Sequence, residues 1–61
     1  LMRALGQLPE VYRVAITLCD LESLSYSEIA EIQGTTIGTV RSRIHRGRRL
    51  LRDLIVKAGA V

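Results

Sequence analysis

The stretch that decides the fold runs from Ser25 to Arg46 and reads SYSEIAEIQGTTIGTVRSRIHR. Ser25 and Glu28 stand three residues apart, which is the spacing of a capping box and predicts a helix at about 26–33. Gly34 follows, and glycine adopts the left-handed conformation that ends a helix without steric cost. The second half of the stretch is basic and is predicted to be helical as well. A short helix, a glycine turn and a longer basic helix are typical of a helix-turn-helix, placed here at 25–46.

The basic helix beyond the turn is predicted to run from 37 to about 57, with Thr36 as a good N-cap. At 100° per residue its apolar residues fall within an arc of about 100°. The predicted core-facing stripe consists of Ile37, Val40, Ile44, Gly47, Leu51, Leu54 and Ile55. The opposite side holds Gly38, Arg41, Ser42, His45, Arg46, Arg48, Arg49 and Arg52, with Arg43 on the flank. The helix is therefore expected to pack by one face and to present a basic face over about 21 Å.

Two further helices are predicted ahead of the helix-turn-helix. Residues 1–7 have a helical spacing that ends near Gly6, and a second helix is placed at about 9–21 because Pro9 suits the first turn of a helix. The residues predicted to face inward are Val11, Val14, Ala15, Leu18 and Leu21 in the second helix and Ile29, Ala30 and Ile32 in the third. The predicted fold is an all-α, compact four-helix domain that contains a helix-turn-helix and has no wing. Residues 1–61 are expected to be one domain of a longer protein, since the chain does not open with an initiator methionine.

Composition argues against several classes of function. Cys19 is the single cysteine, so no intrachain disulfide is expected, and no Cys/His set has the spacing of a zinc site. Neither a metal nor a cofactor is expected, and Cys19 is predicted to be a small core hydrophobe. His45 has no acid or nucleophile within its own turn, so no catalytic residues are predicted and the protein is not expected to be an enzyme. The chain has no apolar run of about 18 residues and no signal-peptide pattern, which favours a cytoplasmic protein with no membrane partner.

Charge is segregated along the chain. Residues 1–40 have two basic and five acidic side chains and a net charge of −3, whereas residues 41–61 have a net charge of +6. A basic last third on an acidic body favours a polyanion as the partner. Arginine can donate two hydrogen bonds to guanine and can also neutralise phosphate, so duplex DNA is the expected polyanion.

The N-terminal part of the second helix of a helix-turn-helix is the part that reaches the base edges. The predicted base-reading residues are therefore Thr39, Arg41, Ser42, His45 and Arg46. The predicted contacts to the DNA backbone are Thr35, Thr36, Gly38, Arg43, Arg48 and Arg49, with Arg52 adding sequence-independent affinity. Two alternatives stay open at this point: Thr35 and Thr36 serve only to cap the helix, and Arg13 either pairs with Glu28 or touches the DNA backbone.

These residues resemble the C-terminal domain, region 4, of a bacterial RNA polymerase sigma factor of the extracytoplasmic-function type. The similar features are Leu8-Pro9 followed by Arg13, then Ser25-Tyr26 leading into 28–32, and last 37–48, which is close to the family's Gly-Thr-Val-x-Ser-Arg-x-x-Arg-x-Arg signature. Together they cover most of residues 5–55. The sequence departs from the family at Ser23, where glycine is common, at Gln33, where an apolar residue is usual, and at Gly47, where alanine is common.

The resemblance implies a role in transcription initiation, namely recognition of the promoter −35 element while the domain is attached to the flap of the RNA polymerase β subunit. It also implies an N-terminal domain for the −10 element and often an anti-sigma factor that holds the sigma factor inactive. The family's DNA-reading positions correspond to Arg41, Ser42, His45 and Arg46, the same positions that the helical wheel exposes. Ser23 predicts a strained turn. A glycine within a helix lowers helix stability by about 1 kcal/mol relative to alanine. Gly47 therefore predicts that the distal part of the helix bends or frays.

Two other functions are compatible with the same residues. One is the output domain of a response regulator of the related four-helix type, which usually binds DNA as a dimer at paired half-sites. The other is a protein-interaction module whose basic helix docks an acidic partner or an anionic membrane surface. A preference for one duplex over scrambled DNA would distinguish the promoter hypothesis from the interaction module.

Overall fold

The computed structural model describes residues 2–57 and 59 of the chain, and the predicted all-α fold with four helices is confirmed for them. The helices are α1 at Met2–Gly6, α2 at Glu10–Ile16 with a π-helical continuation at Thr17–Leu21, α3 at Tyr26–Gln33 and α4 at Ile37–Lys57. Leu1, part of the predicted first helix, lies outside the described residues. The bounds of α3 and α4 agree with the prediction, and no strand occurs in the described part of the chain.

The helix-turn-helix is fixed by the local interactions that the sequence predicts. The Ser25 hydroxyl accepts the Glu28 N–H at 3.1 Å, while the Glu28 carboxylate accepts the Ser25 N–H at 2.9 Å. Gly34 ends α3 in the left-handed region with φ of 65°. The Thr36 hydroxyl accepts the Thr39 N–H at 3.1 Å and so caps α4. The predicted capping box, glycine turn and N-cap are all confirmed.

The end of α2 differs from a regular helix. Pro9 is the N-cap of α2 rather than a residue of its first turn, with φ of −52° and ψ of 142°. At the other end the Glu22 N–H donates to the Thr17 carbonyl at 3.1 Å, an i→i+5 bond of the π-helical type. A π-helical turn rotates less per residue than an α-helical turn, so Leu21 moves off the inward face. Leu21 is 61% exposed, and its predicted burial is wrong.

Two apolar clusters hold the helices together. The helix-turn-helix core joins α2, α3 and α4 and consists of Ala15, Ile29, Ala30, Val40 and Ile44, with Leu18, Cys19, Leu24 and Tyr26 packed against it. The distal core joins α1, α2 and the far half of α4 and consists of Leu5, Leu8 and Ile16, with Leu51 and Leu54 packed against it. Cys19 is a half-buried packing residue, in agreement with its predicted role. α4 thus packs on one core with its first half and on the other with its second half.

Three other residues predicted to face inward are exposed: Val11, Ile32 and Ile37. Ile32 lies about 300° after Ile29 and about 200° after Ala30 on the helical wheel. Because α3 buries both Ile29 and Ala30, it turns Ile32 towards solvent, where the side chain is 60% exposed. Val11 and Ile37 stand in the first turns of α2 and α4, at helix ends where fewer neighbours cover them.

The two glycine-related departures have structural consequences. Ser23 adopts φ of 57°, a left-handed conformation that glycine adopts at no steric cost, so the predicted strain at this turn is confirmed. Gly47 is buried, and a Cβ there would lie 2.8 Å from Ile16 Cδ1 and 3.2 Å from Tyr12 Cβ. α4 continues through Gly47 as one helix, and the absence of a Cβ allows the close approach of α2 and α4.

Candidate nucleic-acid interface

α4 presents the basic face that the helical wheel predicts. The exposed side chains are Arg41, Ser42, His45, Arg46, Arg48, Arg49 and Arg52, whereas Arg43 on the flank is half-buried. Val40 and Ile44, on the opposite side of the same turns, are 0% and 1% exposed. The first half of the basic face is therefore backed by the most deeply buried part of the helix-turn-helix core.

The threonines at the start of α4 bond to the protein itself. Thr36 accepts the Thr39 N–H and also donates its hydroxyl proton to the Thr39 hydroxyl oxygen at 3.0 Å. The Thr35 N–H donates to the Ala30 carbonyl at 2.9 Å. Capping is thus confirmed for Thr36, and the Thr35 amide is used in the turn. The Thr39 side chain is half-buried and retains a hydroxyl proton that it can donate outward.

Two arginines near the start of the basic face are held by α3. The Arg41 guanidinium lies over the Tyr26 ring, 6.0 Å from its centroid, which is the outer limit of a cation–π contact. Arg43 Nη1 donates to the Gln33 side-chain oxygen at 3.1 Å. Both contacts restrict long side chains that would otherwise be mobile.

A third arginine is held by the π-helical turn of α2. Arg48 Nη2 donates to Asp20 Oδ1 at 2.6 Å, with the two side chains 52% and 43% exposed. This hydrogen bond raises the pKa of Arg48 above its already high ordinary value. Partial burial, assisted by the Asp20 charge, raises the pKa of the Cys19 thiol. We call Arg41, Arg43 and Arg48 the tethered arginines.

The other three arginines of α4 are Arg46, Arg49 and Arg52, which we call the untethered arginines. Within the described part of the chain, none of them forms a hydrogen bond or an ion pair. The predicted alternative of an Arg13–Glu28 pair is likewise not formed among these residues. The Glu28 carboxylate instead accepts the Ser25 N–H in the capping box, and the two hydrogen bonds with Ser25 lower its pKa.

Two polar grooves border the basic face. The α2–α4 groove has a volume of 260 Å³ and is lined by Val11, Tyr12, Thr39, Ser42, Arg43 and Arg46. The arginine groove has a volume of 440 Å³ and is lined by His45, Arg48, Arg49 and Arg52. The predicted base-reading residues Thr39, Ser42 and Arg46 therefore line the first groove. His45 lines the second groove, and Arg41 lies apart from both, beside α3.

Three residues that hold arginines were not predicted to do so: Tyr26, Gln33 and Asp20. In the sequence, Tyr26 was part of the family resemblance and Gln33 was a departure from the family pattern. Asp20 and Arg48 are 28 residues apart in the sequence, so no local pattern connects them. A long-range ion pair of this kind leaves no periodic signal in one sequence.

Other kinds of site are not supported by the described residues. In residues 2–57 and 59 no group of three His, Cys, Asp or Glu side chains is arranged to hold a metal ion. No helix in the same residues has the length and apolar character needed to cross a membrane.

A helix-turn-helix core beneath an exposed arginine face defines a DNA-binding domain. The family described as "Sigma-70, region 4" matches residues 1–51, and the chain belongs to this family. Region 4 binds the promoter −35 element in extracytoplasmic-function (ECF) sigma factors, and the family is not enzymatic. The predicted resemblance is confirmed, and the response-regulator and interaction-module alternatives are not supported.

Curated relatives agree with the family match. The chain is 56% identical over 57 residues to the ECF RNA polymerase sigma factor SigE of Mycolicibacterium smegmatis, which is 93% of this chain and 22% of that protein. It is 54% identical to the ECF RNA polymerase sigma-E factor of Haemophilus influenzae, covering 79% of this chain and 25% of that protein. The sigma-E factor of Escherichia coli K12 is 53% identical, with coverage of 80% and 26%. The chain thus spans about a quarter of the length of these relatives.

Proposed function

We propose that this chain binds duplex DNA through the major groove and reads a promoter −35 element as region 4 of an ECF sigma factor in the bacterial cytoplasm. The observation that supports this most directly is the first half of α4. There Arg41, Ser42 and Arg46 are exposed while Val40 and Ile44 on the same turns are almost completely buried. A helix fixed in this way holds its outer side chains in a constant register against the bases.

The base-reading residues are proposed to be Arg41, Ser42, His45 and Arg46, with Thr39 at the edge. Arg46 is untethered and lines the α2–α4 groove, so all five of its N–H donors are available to a guanine. Arg41 lies beside Tyr26 and approaches the bases from the α3 side. Ser42 and His45 can each donate or accept one hydrogen bond and suit either kind of base edge.

The backbone contacts are proposed to come from the flanks and the two ends of the basic face: Thr35, Thr36, Gly38, Arg43, Arg48, Arg49 and Arg52. Arg43 uses one N–H donor on the protein and Arg48 uses two, on Asp20 and Cys19, and both retain others for phosphate. Gly38 has a different role. A Cβ there would meet only Thr36 Oγ1, at 3.9 Å, so the fold itself does not require glycine at this position. The absence of a side chain is therefore better explained by close approach of the DNA.

The polymerase core is the second proposed partner, bound through the flap of its β subunit. An apolar groove of 540 Å³ lies at the far end of the domain and is lined by Gln7, Leu8, Pro9, Leu50, Asp53, Leu54, Val56 and Lys57. Leu50 and Val56 are exposed in it, and this groove does not share residues with either polar groove. It supports docking of an apolar segment while the basic face is on DNA. An anti-sigma factor is a third proposed partner, on the family resemblance alone.

The test is selection of a preferred duplex from a random pool by the sigma factor assembled with polymerase core. We expect enrichment of one short motif, and we expect the 61-residue chain to prefer that duplex over a scrambled one at moderate salt. Equal binding to both duplexes would contradict the promoter hypothesis and favour a general polyanion-binding role. A Leu50→Glu, Val56→Glu double variant is expected to lose polymerase binding while the chain keeps its DNA preference.

A further inference from the structure

Gln33 connects all three helices of the helix-turn-helix core. It is the last residue of α3 and is half-buried. Its amide nitrogen donates to the Val11 carbonyl of α2 at 3.5 Å, a long hydrogen bond. Its amide oxygen accepts from Arg43 Nη1 of α4 at 3.1 Å. The Gln33 amide is thus fixed by α2 through its nitrogen, and through its oxygen it fixes Arg43.

The position of Arg43 makes this contact relevant to DNA binding. Arg43 lines the α2–α4 groove together with the proposed base-reading residues Ser42 and Arg46. One of its five N–H donors is used by Gln33, and the others remain available. An arginine side chain that is ordered only when DNA binds loses rotamer freedom at that moment, whereas one that is already ordered does not.

The chemistry of the amide suits this task. A glutamine oxygen accepts a hydrogen bond but has no net charge, so the full positive charge of Arg43 remains available to a phosphate. A carboxylate at the same position would hold the guanidinium more strongly and would also neutralise it, as Asp20 does for Arg48. An apolar side chain would not hold it at all.

We infer that Gln33 is a positioning residue that orders the Arg43 guanidinium before DNA binds, without competing with phosphate for its charge. The inference rests on the proposed function, because Arg43 must meet the DNA backbone. It assigns to Gln33 an effect on DNA affinity that is independent of base sequence and that requires Arg43.

The test is a double-mutant cycle of Gln33→Leu and Arg43→Ala, measured as binding of the chain to its preferred duplex and to a scrambled duplex. Gln33→Leu is expected to weaken binding to both by about twofold to tenfold, the cost of ordering one long side chain. In the Arg43→Ala background the same change is expected to have almost no effect. Equal losses in both backgrounds, or no loss in wild type, would overturn the inference. Thr17→Val, which also replaces a half-buried polar side chain by an apolar one but lines none of the three grooves, is the matched control and should leave DNA binding unchanged.

A second measurement separates positioning from a merely structural role. Individual phosphates of the duplex are replaced by neutral methylphosphonates, and the affinity lost at each position is compared between variants. Gln33→Leu and Arg43→Ala should both reduce the loss at the same phosphate, which a general loss of stability would not do. Gln33→Glu should bind more weakly than wild type and show a shallower salt dependence, since the carboxylate competes with phosphate. Wild-type binding that shows no duplex preference would contradict the proposed function, whereas normal preference with no coupling would contradict only this inference.

Discussion

The two halves of α4 have the same net charge but are held in different ways. Residues 37–46 and residues 47–57 each have a net charge of +3. The first half packs on the helix-turn-helix core through Val40 and Ile44, which are almost completely buried, and begins at a bonded N-cap. The second half packs on the distal core through Leu51 and Leu54, which are only partly buried. The two halves of α4 therefore differ in how deeply their core-facing residues are buried and not in net charge.

The largest expected effect is on stability, and it compares the two cores directly. Ile44→Ala removes most of a fully buried side chain and is expected to cost about 2–5 kcal/mol, enough to unfold a domain of this size. Leu51→Ala removes a half-buried side chain and should cost clearly less. Urea unfolding, monitored by circular dichroism, measures the free energy of unfolding of both variants. Equal costs would show that the two halves of α4 are equally well anchored.

The next effect separates base reading from general affinity. Arg46→Ala is expected to cost about 1–3 kcal/mol of binding free energy and to relax preference at one or two base pairs. Arg52→Ala should weaken binding to all duplexes alike and make the salt dependence shallower. Affinities for single-base variants of the selected duplex, measured at several salt concentrations, test both expectations. A base-specific loss at Arg52 would show that the distal half of α4 lies deeper in the groove.

Local interactions explain which parts of the fold were predictable. The capping box of Ser25 and Glu28, the Gly34 turn and the Thr36 cap each act over a few residues, so their spacing is visible in the sequence. The exposure of Leu21 was not predictable, because a π-helical turn changes the rotation per residue.

For the candidate site, too, the local pattern was predictable and the long-range contacts were not. The periodicity of α4 placed its arginines on an exposed face, and the exposure of that face is confirmed. The contacts to Gln33 and Asp20 join residues 10 and 28 positions apart, and they depend on how the helices pack. Which arginines are tethered could therefore be learned only from the structure.

The two glycines of α4 offer a matched pair of alanine substitutions. Gly38→Ala is expected to stabilise the domain by up to about 1 kcal/mol, since the Cβ has open space and alanine favours a helix. It should nevertheless weaken DNA binding if the DNA approaches there. Gly47→Ala should destabilise the domain, because the Cβ would lie 2.8 Å from Ile16 Cδ1, and Ile16→Val should recover part of the loss. Thermal unfolding and DNA affinity are measured on each variant, and a destabilising Gly38→Ala would contradict the assignment.

The smallest expected effect concerns the ion pair between Arg48 and Asp20, which restrains an arginine of the distal half. Both side chains are about half exposed, so Asp20→Asn is expected to cost less than about 1 kcal/mol of stability, and the loss should shrink in high salt.

The same change removes a negative charge and releases Arg48 towards DNA. Affinity for every duplex should therefore rise and become more salt-dependent, with no change in base preference. In an Arg48→Ala background the rise should largely disappear. Weaker DNA binding by Asp20→Asn would mean that the carboxylate presents Arg48 to the phosphate, and both halves of α4 would then contain arginines positioned for DNA by the rest of the fold.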